Sequence, residues 1–420
     1  MAVAFINYLY YPLVGRLLPN AAFGELQVII SSFLQLSIIL AVLTNVSVNI
    51  YVNGNLNKKS RATVSEIERI SLYGGFAILL IICLLAAPLG GLLKFSSPFP
   101  FIAIAIAFVI AIPSTFRNAY LQANKKFAAI SLNSFIGSSS KILFSAILVL
   151  VALHTFGAVL GIALSGAVGL FLSNRQAVKA GYKTSEESLR RRKPDFSLIR
   201  PELPYAIFIL FMSLLTTLQI SIDVTLIKYF LPPETAGNYA AIATIARIIY
   251  FLTGSVLTVM LSSLSRYKLI KDNLRTLLSS TGLITVLGGA ATLFFVFLPT
   301  FTVHLLFGSR YDSLAHYLPL LATAVFIGSL LNLFVTYHSA LRHYFALTFL
   351  ILGSLSTLTF VIINTKTIEH IVTGLLLGSG VALVGLIAFT AYISFRGNKE
   401  GQLLLKGKAD YDSGFEQPLT

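Results

Sequence analysis

The heptapeptide LPNAAFG at residues 18–24 returns as LPPETAG at residues 231–237, an offset of 213 positions in a chain of 420. Three of the seven positions are identical, and the place of the match gives it weight: each copy joins the first apolar stretch of a half to the second. Working outward from the two copies, apolar stretches lie near residues 1–17, 23–49, 70–93, 100–121, 128–152, 156–174, 203–226, 238–263, 276–300, 316–337, 344–363 and 371–394. Most reach the ~20 residues that carry a helix across a bilayer. The expectation is an all-α integral membrane protein of about 12 transmembrane helices in two six-helix repeats around a central cavity. Both copies of the motif have the same orientation, so the repeats are parallel, related by an axis along the membrane normal. The first stretch is several residues short of a full crossing, which reads as a truncated or misassigned start.

The loops between the stretches alternate in charge. Placing every second loop on one face collects 24 of the 31 Lys and Arg there, in the segments Lys58 to Arg69, Arg117 to Lys126, Arg175 to Arg200, Arg266 to Arg275, Arg342, and Arg396 to Lys408. The opposite face holds only Arg16, Lys94, Lys228, Arg310 and Lys366, while Lys141 and Arg247 fall inside stretches. Under the positive-inside rule both termini are cytoplasmic, and the expected location is the plasma (inner) membrane. The net charge of +15 is thus a matter of topology and anionic headgroups, not of nucleic acid. With 56% hydrophobic and 11% charged residues, no large soluble domain fits between the spans. The single cysteine, Cys83, excludes an intramolecular disulfide.

Residues 175–203, RQAVKAGYKTSEESLRRRKPDFSLIRPEL, form the longest polar segment and divide the chain. The expected organisation is an N-terminal six-helix lobe over 1–174, a basic cytoplasmic linker over 175–202, a C-terminal six-helix lobe over 203–396 and a polar, disordered cytoplasmic tail over 397–420.

At about 100° per residue, Gln27, Ser31, Gln35, Asn45 and Asn49 of the second stretch fall within an arc of about 80°. In the eighth, Thr244, Arg247, Ser255, Thr258 and Ser262 do the same, and the 213-residue offset carries Ser31 to Thr244, Asn45 to Thr258 and Asn49 to Ser262. Such stripes are disfavoured against lipid and belong either to a water-filled cavity or to hydrogen bonding between helices. The seventh stretch adds Ser213, Thr216, Gln219 and Asp223. Asp223 reads either as a site for a proton, a sodium ion or a cationic group, or as a partner for Arg247 or Lys228. Arg247 reads either as a clamp for phosphate or carboxylate, or as the other half of that pair. Arg117, Asn118 and Gln122 close the fourth stretch after Pro113, which is expected to kink or open that helix; they stand either at the entrance for an anionic headgroup or at the interface, where Arg117 snorkels.

Enzymatic signatures are absent. There is no G-x-x-x-x-G-K-[ST], no H-E-x-x-H and no G-x-S-x-G, and the six histidines lie mostly near span ends. Neither a metal nor a cofactor is expected, and the chain reads as a transporter, not an enzyme.

The segments LVGRLLPNAAFGELQ (residues 13–27) and SIDVTLIKYFLPPETAGNYAAIATIARI (residues 221–248), the basic second loop and the kinked fourth span resemble the polysaccharide biosynthesis and oligosaccharide flippase family. That family belongs to the superfamily that also holds multidrug and toxin exporters and lipid II flippases. The resemblance covers nearly the whole chain through loose Leu, Pro, Gly and Tyr patterns, and departs at the front, where members have about half a helix more. It implies two six-helix lobes in alternating access, moving an undecaprenyl-pyrophosphate-linked oligosaccharide to the outer leaflet for cell-surface polysaccharide. Arg16, Asp223 and Arg247 match places where members carry charge near the cavity, and Arg117 matches the basic end of the fourth span. The expected substrate-binding residues are therefore Arg16, Gln27, Ser31, Gln35, Asn45, Asn49, Arg117, Gln219, Asp223, Thr244, Arg247 and Thr258. Expected partners are the lipid-linked oligosaccharide, membrane lipids, and glycan polymerase or glycosyltransferases. A coupling ion, H+ or Na+, is one source of direction, with membrane potential and removal of product outside as the others. The rival readings are an ion-coupled drug or cation exporter, which calls for an acid-rich cavity, and a non-transporting scaffold for glycan assembly.

Overall fold

The computed structural model describes residues 2–53, 55–182, 197, 199–201, 203–264, 270–364 and 366–413. Most of the expected linker, residues 183–196, and the last part of the expected tail, residues 414–420, lie outside the described residues. Fourteen α-helices are described: α1 (Ala2–Leu17), α2 (Asn20–Asn53), α3 (Lys58–Leu92), α4 (Phe99–Ala123), α5 (Phe127–Leu148), α6 (His154–Lys179), α7 (Leu203–Phe230), α8 (Pro233–Ala246), α9 (Ile248–Ser263), α10 (Ile270–Phe297), α11 (Pro299–Phe307), α12 (Leu318–Ala340), α13 (Ala346–Ile363) and α14 (Ile368–Ser413). Eleven of the resulting continuous helical stretches are long and apolar enough to cross a membrane, and α1, at 16 residues, is shorter than these. No strand is present among the described residues.

The elements follow the apolar stretches in order, with differences that have local causes. Helix α3 starts twelve residues before its apolar stretch, because Asn57 caps it by accepting from the Ser60 amide at 2.8 Å. Its polar first turns also bury Thr63, Ser65, Glu66 and Glu68 against the first bundle instead of looping through solvent. The eighth stretch divides at Arg247, between α8 and α9. A short helix, α11, and a 3-10 segment, Ser309–Tyr317, link α10 to α12. Helix α4 passes Pro113 with its helical backbone unbroken, contrary to local opening there. The last helix runs on to Ser413, past the expected start of a disordered tail at 397; the segment carries Leu403 to Leu405 and three lysines and meets no proline before Pro418.

Helices α1–α6 pack into one bundle and α7–α14 into a second, joined chiefly by α2 lying along α7 and α8. Burial sorts centre from rim. In its most apolar stretch 11% of the residues are buried in α3, against 61% for the stretch that ends in α12. The large apolar side chains left outward, such as Leu84 at 71% and Ile363 at 75% exposure, form the belt that a bilayer covers.

The repeated heptapeptide is where the bundles meet. Each copy uses a proline to start a helix, α2 after Pro19 and α8 at Pro233, and brings its glycine to the partner copy. A Cβ on Gly24 would lie 2.9 Å from the Gly237 amide nitrogen, and one on Gly237 would collide with the Asn20 carbonyl. Around this backbone contact Asn20 Nδ2 donates to Asn238 Oδ1 at 2.5 Å, and the Tyr311 hydroxyl donates to the Gly15 carbonyl at 2.8 Å. Arg16 donates to the carbonyls of Leu305 and Leu306 at 2.6 and 3.0 Å, capping the end of α11, and Arg310 donates to the Arg16 carbonyl at 2.8 Å. All of this lies at the end of the molecule opposite the basic loops.

Just inside that end, Glu25 of α2 and Lys228 of α7 form a buried ion pair across the bundles at 4.0 Å, with side chains 4% and 0% exposed. Glu25 is further held by the Ser96 amide at 2.7 Å and the Thr155 hydroxyl at 2.8 Å, whereas the Lys228 ammonium has no hydrogen-bond partner and rests 5.4 Å from the Phe95 ring centroid. Removing only the carboxylate therefore strands a buried cation. Glu25→Gln should cost roughly 3–5 kcal/mol, and Glu25→Gln/Lys228→Met should recover most of it, as read from thermal melting in detergent. Gly237→Ala should disfavour closure at this end by about 1–3 kcal/mol, roughly 5- to 150-fold in the equilibrium. With Cys83 replaced by serine, cross-linking of cysteines placed at Asn20 and Asn238 reads that loss directly.

Candidate functional site

Toward the basic loops the bundles separate and enclose a cavity of about 480 Å3, within the range of small-molecule sites. Helix α2 supplies Asn45 and Asn49; α7 supplies Tyr205, Ile209, Ser213, Thr216 and Thr217; α9 supplies Tyr250 and Leu261; α12 supplies Asn332, Val335, Thr336, Ser339 and Ala340. Amides, hydroxyls and phenols dominate, and the lining includes no carboxylate, ammonium or guanidinium. Tyr205 also carries the Arg342 guanidinium 4.1 Å from its ring centroid, which sets one cation at the basic edge.

Asn45 and Asn49 thus stand in the cavity, Asn45 exposed and Asn49 half-buried, as the polar stripe of the second stretch predicts. The rest of the expected set is divided by the fold. Gln27, Ser31, Gln219, Asp223, Thr244 and Arg247 lie in the closed seam between the cavity and the heptapeptide contact, and all but Arg247 are buried. Ser31 donates to the Ser221 carbonyl at 2.9 Å across the bundles, Thr244 donates to the Ala240 carbonyl at 2.8 Å, and Gln219 Oε1 accepts from the Thr357 hydroxyl at 3.0 Å. The Nε2 groups of Gln27 and Gln219 are buried without a hydrogen-bond partner. Gln35 is half-buried on α2 and outside the cavity lining, and the Thr258 side chain lies outside the described residues.

Asp223 and Arg247 pair with each other. Asp223 Oδ1 accepts from Arg247 Nη2 at 2.7 Å, its Oδ2 accepts from the Tyr239 hydroxyl at 2.7 Å, and Arg247 Nε donates to the Ile220 carbonyl at 3.2 Å. The pair is 2% and 15% exposed. Both carboxylate oxygens are engaged, so in this conformation Asp223 serves Arg247 and Tyr239, not a free ion.

Arg16 and Arg117 are not in the cavity. Arg16 belongs to the closed end, where the α11 carbonyls hold it. Arg117 turns into the first bundle: its Nη1 pairs with Glu68 and donates to the Pro113 carbonyl at 3.0 Å, and its guanidinium lies 5.2 Å from the Tyr182 ring centroid. Tyr182 completes the group by donating to Glu68 Oε2 at 2.9 Å. The helical extension of α3 delivers Glu68 to this spot, which is why an arginine expected at an entrance is internally neutralised.

The sequence reading passes over four acids and bases that matter here, Glu25, Glu66, Glu68 and the buried position of Lys228, because each sits at an expected loop or span end. It also omits the α12 wall. Asn332, Thr336 and Ser339 follow i, i+4, i+7 spacing, so the wheel that finds the α2 stripe finds them too.

Residues 1–268 match the family described as polysaccharide biosynthesis protein. No match is found among curated proteins. Among solved structures, an inward-facing multidrug resistance MATE family transporter of the MOP superfamily aligns with a TM-score of 0.71 at 14% identity, over 95% of this chain and 96% of that one. An outward-facing form of such a transporter gives 0.67 at 15% identity, over 95% and 94%. The lipid II flippase MurJ in an inward closed conformation gives 0.66 at 13% identity, over 99% and 92%. The two-bundle architecture is thus that of MATE transporters and MurJ, and the chain belongs to the polysaccharide biosynthesis protein family.

Proposed function

We propose that the protein is a flippase that moves a polyprenyl-pyrophosphate-linked oligosaccharide from the cytoplasmic to the outer leaflet of the plasma (inner) membrane, by alternating access of its interlobe cavity. The observation that carries the reading is the chemistry of that cavity: neutral hydrogen-bonding groups beside two tyrosines, with no acid in the lining. Sugar hydroxyls need such donors and acceptors, since each unmet polar group in hydrocarbon costs several kcal/mol. A cationic drug would call for a carboxylate. The polyprenyl chain can stay in lipid while the headgroup is sheltered, and Arg342 at the basic edge supplies positive charge for a diphosphate. The positive-inside rule supports an orientation with that edge, the cavity mouth and both termini toward the cytoplasm, where glycosyltransferases and a polymerase would be the partners before and after transfer.

The seam supplies the moving part. On α7 the cavity lining ends at Thr217, and Gln219 and Asp223 follow two and six residues further along the helix. There, two buried amide nitrogens stand unpaired, each a penalty of about 1–3 kcal/mol that another arrangement of the bundles can relieve.

Cells depleted of the protein should accumulate lipid-linked oligosaccharide on the inner leaflet, with rescue by wild type. Asn49→Leu/Asn332→Leu, at equal membrane abundance and unchanged melting, should lose most of the rescue. Unchanged glycan distribution in depleted cells overturns the reading. Arg247→Ala should fail for a different reason: it leaves Asp223 buried and unpaired at a cost of about 3–5 kcal/mol and lowers abundance, which Asp223→Asn/Arg247→Gln should restore.

A further inference from the structure

In the first bundle, apart from the interlobe cavity, α1, α4, α5 and α6 line a second, open-mouthed cavity of about 380 Å3. Asn7, Ser114, Asn118, Asn133, Lys141 and Ser165 give it a polar lining on all four helices. Lys141 stands near the middle of the span formed by α5 and the π-helical turn after it, at the depth where an ionised side chain is most costly. Its ammonium donates to Asn7 Oδ1 at 2.7 Å and lies 4.5 Å from the Tyr10 ring centroid. Asn7 is held in turn by donating from Nδ2 to the Ser138 hydroxyl at 2.9 Å. Among the described residues no acid pairs with Lys141, whereas Arg117, Lys228 and Arg247 each have one. Asn133 is 5% exposed, and neither its Nδ2 nor its Oδ1 has a hydrogen-bond partner; Asn118 Oδ1 is likewise buried and unpaired.

A mid-membrane ammonium without a carboxylate, beside buried amides without partners, is a site whose charge and hydrogen bonds are completed from outside the chain. We propose that this cavity binds an oxyanion, a phosphate group, with Lys141 as its counter-charge. Amide nitrogens such as Asn133 Nδ2 donate to the phosphate oxygens, and the carbonyl oxygens of Asn118 and Asn133 accept from a protonated phosphate oxygen. Cations are disfavoured by Lys141, and a neutral ligand leaves its charge unmet. The same chemistry fits a lipid-borne phosphate and free inorganic phosphate. The proposal does not depend on what the interlobe cavity carries.

The test uses the purified full chain and its melting midpoint. Inorganic phosphate is titrated in detergent against chloride at matched ionic strength. In parallel, neutral-lipid nanodiscs are compared with and without a polyprenyl monophosphate. Wild type and Lys179→Met, which removes an exposed cation at the basic end of α6, should both show a saturable, phosphate-specific rise. Lys141→Met should weaken the apparent affinity roughly tenfold or more, as expected for loss of a charge-assisted hydrogen bond. A response to both probes, or to free phosphate alone, assigns the site to free phosphate; a response only in the polyprenyl phosphate nanodiscs assigns it to a lipid headgroup. If Lys141→Met does not fold, Asn133→Leu takes its place, keeping the charge and removing the unpaired amide, and should also weaken binding. A wild-type response to neither probe, or an unchanged response in the variant, overturns the proposal.

Discussion

The contact between Gly24 and Gly237 is the constraint on which the arrangement of the two bundles rests. The backbones of α2 and α8 approach so closely there that the Asn20 carbonyl occupies the place of a Gly237 side chain. Close backbone approach through glycine is a common way to pack helices where lipid offers no hydrophobic drive. Here it acts between two copies of one motif, so the closure lies on the axis relating the repeats. Everything on the far side of that pivot follows: α2 and α7 diverge toward the basic loops and leave a cavity between Asn49 and Asn332.

Charge inside the molecule is handled by a second rule. An ion in hydrocarbon is tolerable when paired, and three of the interior cations are paired with acids from another helix: Arg247 with Asp223, Lys228 with Glu25 and Arg117 with Glu68. Two of these pairs stay within a bundle and fix its helices. Glu25 and Lys228 belong to different bundles, so that pair exists only while the far end is closed and adds to the energy of the closed state. The lining of the interlobe cavity is left free of fixed charge.

Lys141, near the middle of its span, has no such acid among the described residues, and its neighbours form a local polar setting for it. Asn7 and Tyr10 orient the ammonium from α1, while α4 and α5 present amides to the same space. The first bundle therefore combines a neutral wall facing the second bundle with a positively charged pocket of its own.

Hydropathy, loop charge and the repeated heptapeptide determine by themselves that this chain spans a membrane about a dozen times in two parallel halves, because a bilayer dictates span length and excludes unpaired polar backbone. The stripe from Gln27 to Asn49 is legible for the same reason: polar groups on one helical face must avoid lipid. Which part of the stripe meets cavity and which meets protein depends on the angle between bundles, so Asn45 and Asn49 line the opening while Gln27 and Ser31 are sealed in the seam. The roles of the charged residues are likewise tertiary. Arg16, Arg117, Asp223 and Arg247 stand out equally in the sequence, but only packing brings Glu68 to Arg117, the α11 carbonyls to Arg16, and Asp223 to Arg247, since an ion pair is decided by distances of a few ångströms between helices that the chain order does not fix.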